Sequence, residues 1–85
     1  MQTIGLVGGM SWESSIEYYR MLNTGVEERL GGLHSAKCVM SSVEFAELTE
    51  LQQADRWDDV ATLLAEVARG VERAGADLLL MCTTA

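Results

Sequence analysis

Two kinds of hydrophobic pattern alternate along this chain. Unbroken apolar runs stand near its two ends, Thr3-Ile4-Gly5-Leu6-Val7 and Leu78-Leu79-Leu80-Met81. Runs of this kind are how strands covered on both faces of a parallel sheet read. Between them apolar residues recur every three or four positions, the period of a helix with one buried stripe. Tyr19, Leu22, Val26 and Leu30 form the first stripe; Val60, Leu63, Leu64, Val67, Val71 and Ala74 form the second.

The polar and glycine punctuation sets the boundaries. Gly8-Gly9-Met10-Ser11 reads as a sharp turn after the first strand, with Ser11 as N-cap of a helix beginning near Trp12. Ser14 with Glu17 offers a second, capping-box-like start. Gly31-Gly32 ends that helix. Leu33-His34-Ser35-Ala36 leads into a second strand over residues 37–43, and residues 44–53 read as a loop with a short helix. Asp55 or Asp58 caps the next helix, Gly75 closes it, and a third strand covers residues 77–81. The order β-α-β-α-β, with right-handed crossovers, predicts a three-layer α/β fold with a parallel sheet and the first strand in its middle. Three strands leave two open edges, and no helix follows the last. Residues 1–85 therefore read as the front portion of a larger α/β domain.

Composition narrows the class. Eighty-five residues make one domain at most. With 48% hydrophobic and 22% charged residues the chain is ordinary for a soluble globular protein. A formal net charge of −7 argues against nucleic acid and against an anionic membrane surface as partners. Met1-Gln2-Thr3 leads straight into a strand, without the pattern of a signal peptide or a membrane span. Two cysteines fit a reducing cytoplasm better than a disulfide framework.

The residues with chemistry gather at the end. Cys82, Thr83 and Thr84 stand where the third strand leaves the sheet, and in open α/β sheets ligands bind at the carboxyl ends of strands. In a complete fold Cys82 would stand just before a helix N-terminus, a position that lowers a thiol's pKa and makes the thiolate accessible; a packed strand-end cysteine is the alternative. Residues 8–11 could hold an anion on backbone N–H groups and the helix dipole. Neither nucleotide-binding glycine pattern is met, and on its own the run reads first as a plain tight turn. Cys38 lies four residues before Ser42, roughly 13 Å from that rim at about 3.3 Å per residue, and reads as a small buried apolar residue. His34 belongs to a loop at the opposite rim. Trp12 and Trp57 read as packing anchors. Asp55, Asp58 and Asp59 read as a solvated helix start, and no His, Cys or carboxylate cluster has metal-ligand spacing.

Beyond these local readings, several segments resemble the aspartate/glutamate racemase family, and within it the broad-specificity amino-acid racemases. They are the run from Ile4 through Gly8-Gly9-Met10-Ser11-Trp12-Glu13-Ser14, Tyr18-Tyr19-Arg20, Gly31-Gly32-Leu33-His34-Ser35-Ala36, Ser42-Val43-Glu44-Phe45, and Arg73-Ala74-Gly75-Ala76 leading to Cys82-Thr83. The resemblance implies two similar α/β domains facing each other, one cysteine from each, and no pyridoxal phosphate or metal. It implies an amino-acid substrate, acidic or broad, and two thiols that exchange the roles of base and acid on opposite sides of Cα. By position, Cys82 is the first-domain cysteine and Met10 and Ser11 lie against the substrate. Thr83 and Thr84 match the segment that binds the α-carboxylate. Gln52 falls where the substrate side chain is met and where dedicated aspartate racemases carry Arg; an amide makes no bidentate ion pair, which argues against strict selection for a side-chain carboxylate. The family's motif usually places Asn and then Thr after the cysteine. Here Thr83 or Thr84 takes the Asn position, and the second domain with its cysteine is absent from these residues.

Two other readings stand beside it. One is a small flavodoxin-like module that binds an anion at residues 8–11. The other is an inactive, truncated chain that pairs its open sheet edge with a copy of itself or with a partner.

Overall fold

In the computed structural model, described for residues 1–83, six elements follow in order. They are β1 (Ile4–Met10), α1 (Trp12–Leu30), β2 (Cys38–Ser42), α2 (Phe45–Gln53), α3 (Trp57–Arg73) and β3 (Leu78–Thr83). The strands form one parallel sheet in the order β2-β1-β3, with the first strand central.

The glycines of β1 reveal which helix covers which face. A Cβ on Gly5 would come within 2.3 Å of Val71 Cγ1 on α3, and one on Gly8 within 2.6 Å of Ser15 Oγ on α1. Side chains alternate along a strand, so the two helices lie on opposite faces. Leu6 and Gly8, with their partners Met40 and Ser42 on β2 and Leu80 on β3, face α1. Gly5 and Val7, with Val39, Ser41, Leu79 and Met81, face α3. Leu6 and Val7 are fully buried, as β1's place between two helix layers requires.

Neither helix covers the three strands evenly. α1 packs on β1 and β3, whereas α3 packs chiefly on β1 and β2 with α2 beside it. Each face is therefore left open over one outer strand, and the side chains record it: Met40 is 41% exposed on the α1 face of β2, and Leu79 is 49% exposed on the α3 face of β3.

Backbone pairing secures the amino-terminal rim. Thr3 N–H donates to Asp77 Oδ2 at 2.8 Å, and Asp77 N–H returns a bond to the Thr3 carbonyl at 2.8 Å. Asn23 ties α1 to the crossover loop: its Nδ2 donates to the Tyr19 carbonyl and its Oδ1 accepts from Ala36 N–H.

Several local expectations are corrected. The α1 stripe is only partly covered, because Leu22 and Val26 are half-buried while Tyr19 and Leu30 stay half-exposed. In α3 only Val60 and Val71 are buried; Leu63, Leu64 and Val67 are half-covered and Ala74 is exposed. Arg56 occupies the N-cap position of α3, not Asp55 or Asp58, and no side chain caps it. Arg56 instead pairs with Asp59, and Asp58 and Asp59 lie in the first turn, where their charge suits the helix dipole. Glu17 pairs with Arg20 and makes no second helix start. Residues 45–53 are helical throughout, because the Glu44 carboxylate accepts from Ala46 and Glu47 N–H at 3.0 and 3.1 Å and so caps α2. Trp12 and Trp57 are no packing anchors, being more than half exposed.

Candidate functional site

The carboxyl end of β1 does not turn at its glycines. Val7 pairs with Met81 and Met10 with Thr83, so Gly8 and Gly9 together stand opposite the single residue Cys82. This two-against-one bulge lengthens β1 through Met10. Gly9 has φ +90°, and a Cβ there would lie 2.2 Å from the Val43 carbonyl oxygen and 2.6 Å from Ser42 Oγ. Only glycine meets both demands. The corner falls one step later, at Ser11 with φ 75°. Ser11 holds the N-cap position of α1, but its hydroxyl donates to Glu13 Oε2 and caps no backbone N–H.

The bulge is locked from above. Gly9 N–H donates to Ser15 Oγ at 3.1 Å in a buried bond, and Val43 N–H donates to the Gly8 carbonyl at 2.8 Å. The Gly9 N–H, a donor expected to face an anion, is thus already taken inside the protein.

Cys82 is fully buried. Alternation along β3 puts it on the face of Leu80 and Leu6, beneath α1. Burial raises its thiol above the ordinary value of 9.0, because a thiolate loses hydration there. The accessible, acidified thiol is expected just ahead of a helix N-terminus, and no helix follows β3 among the described residues; here Cys82 is a covered thiol. Its sulfur lies 4.0 Å from the Leu80 carbonyl, a weak contact. It is nevertheless level with the paired glycines, at the rim where open α/β sheets bind ligands.

The other residues singled out from the sequence disperse more widely. Met10 is half-buried and pairs with Thr83, the last residue of β3. Thr84 lies outside the described residues. Gln52 is half-buried in the last turn of α2, about 10 Å of helix beyond its first residue at ~1.5 Å per residue. Cys38 is half-buried and level with Ile4, four residues below the rim as the spacing requires. His34 is exposed in the loop after α1. Among the described residues no three His, Cys, Asp or Glu side chains come together as a metal site, and no helix is long and apolar enough to cross a membrane.

One feature escaped the sequence reading. A pocket of about 310 Å³ opens beside the bulge, lined by Trp12, Ser15, Ile16, Tyr19, Met40 and Ser42. It occupies the part of β2 that α1 leaves uncovered. Trp12, Ile16 and Tyr19 follow an i, i+4, i+7 spacing, a second stripe on α1 that could have announced it.

Known proteins share this architecture. The crystal structure of a Yersinia pestis protein assigned to the Asp/Glu racemases superposes with a TM-score of 0.96 at 49% identity, over 99% of this chain and 36% of that one. That of an aspartate racemase homologue from Pyrococcus horikoshii OT3 gives a TM-score of 0.78 at 26% identity, over 96% of this chain and 35% of that one. The chain thus spans about a third of the length of these structures. The family model for Asp/Glu/Hydantoin racemases matches residues 7–85. The chain belongs to the Asp/Glu/hydantoin racemase family.

Proposed function

We propose that these residues carry one side of a cofactor-independent amino-acid racemase, with Cys82 as the group that exchanges a proton with the substrate Cα. The observation that carries this reading is the position of Cys82, opposite the two-glycine bulge at the carboxyl rim of a racemase-family sheet. In one direction the Cys82 thiolate takes the Cα proton and the freed electron pair delocalises into the α-carboxylate. A proton then arrives on the opposite face from a second acid, a cysteine of a second, similar domain outside residues 1–85. In the other direction Cys82 is the acid, and a thiol that burial holds above its ordinary value suits that role. Met10 and Ser11 border the substrate, Thr83 and Thr84 hold its carboxylate, and Gln52 meets its side chain with a neutral amide, which favours a broad range of amino acids. No metal or pyridoxal phosphate takes part.

A one-sided site exchanges a proton without inverting the centre. The 85-residue chain, incubated in D₂O with L- and D-aspartate and L- and D-glutamate, is expected to deuterate Cα of one enantiomer while optical rotation stays constant. Cys82→Ser is expected to abolish that exchange. Absence of exchange with every substrate, or exchange that persists in Cys82→Ser, overturns the reading; rapid racemisation by this chain alone overturns the need for a second thiol.

A further inference from the structure

We propose that Ser15 is a positioning residue for Cys82: its hydroxyl holds the two-glycine bulge against α1 and thereby keeps water away from the thiol. The inference rests on the reading of Cys82 as the reacting group, but its test does not require turnover.

Ser15 is 5% exposed, on the face of α1 turned to the sheet. Its Oγ accepts the Gly9 N–H in a buried bond. It can approach so closely only because Gly8 has no side chain, since a Cβ there would lie 2.6 Å from the same oxygen. The two glycines it holds are the pair that stands opposite Cys82. Leu6, Gly8 and Cys82 share the face that α1 covers, so the Ser15 hydroxyl, the bulge and the thiol form one layer. With the hydroxyl removed, Gly9 N–H becomes a buried donor without an acceptor, and the backbone must turn it towards water to recover the bond. Because Gly9 stands opposite Cys82, water admitted there is expected to reach the thiol as well, and desolvation is what raises that thiol.

The test follows alkylation of Cys82 by iodoacetamide between pH 7 and 10, resolved from Cys38 by peptide mass analysis. Ser15→Ala is expected to raise the rate at fixed pH by about tenfold, as the midpoint falls towards that of a free thiol. Ser15→Thr, which keeps the hydroxyl, is expected to restore the slow rate. Ser14→Ala removes a neighbouring buried serine with no bond to the bulge and is expected to leave the rate unchanged. In the unsubstituted protein the Gly9 amide is expected to exchange slowly with deuterium. A Ser15→Ala rate no higher than that of Ser14→Ala, or fast Gly9 exchange in the unsubstituted protein, overturns the proposal. If Cys82 is not the reacting group, Cα exchange is missing while these alkylation rates still separate, so the two failures are distinguishable.

Discussion

The two ends of β1 each carry a glycine that resists replacement, for opposite reasons. At the amino end, Gly5 has ordinary strand geometry and is small because α3 presses on it: Val71 Cγ1, Ala76 Cβ and the Leu78 carbonyl all crowd its missing side chain. At the carboxyl end, Gly9 is required by the backbone itself, through a positive φ and the Val43 carbonyl. One end is shaped by a helix packing down, the other by a strand bending away to make a rim. This strand keeps its tight packing at one end and its unusual backbone at the other, the carboxyl rim.

Substitution separates the two cases. Gly9→Ala is expected to have the largest effect, roughly 3–5 kcal/mol, from the strain of a positive φ added to an overlap with backbone that cannot yield. That is a large share of a small domain's stability, and loss of the cooperative urea transition is the expected readout. Gly5→Ala meets chiefly side chains and is expected to cost about 1–3 kcal/mol with the transition intact. Equal effects at the two positions would erase the distinction.

A smaller effect sharpens the carboxyl end alone. Burial holds the Cys82 thiol above 9.0, so the folded state keeps this proton longer than the unfolded chain does. The stability gained is fully present below about pH 9 and is lost as pH rises through the folded value. Urea midpoints measured from pH 8 upward should therefore fall more steeply for the unsubstituted protein than for Cys82→Ala. Parallel curves would mean that the thiol is not desolvated.

The architecture was legible in the chain because its signals are periodic. Apolar runs at residues 3–7 and 78–81 and the stripe from Val60 to Val71 fix strands and helix by spacing alone, and with right-handed crossovers they leave β1 central. The bulge was not legible, since Gly8-Gly9 reads equally as a turn, and only pairing with β3 shows that both residues oppose Cys82. Ser15 was invisible for the same reason: a serine as the fourth residue of a helix has no local signature of its contact with Gly9. Cys82 was found by position, but its burial depends on where α1 lies across the sheet, which no local pattern specifies. Glu44 was missed as a cap because the favoured capping residues are Ser, Thr, Asp and Asn.

Both tryptophans are more than half exposed, Trp12 at 61% and Trp57 at 57%. Their emission consequently changes little when the chain unfolds, and denaturation is better followed by circular dichroism. The same property makes Trp12 a built-in optical sensor: any molecule or polypeptide that settles into the cavity beside α1 must dry its indole ring and shift the emission to the blue.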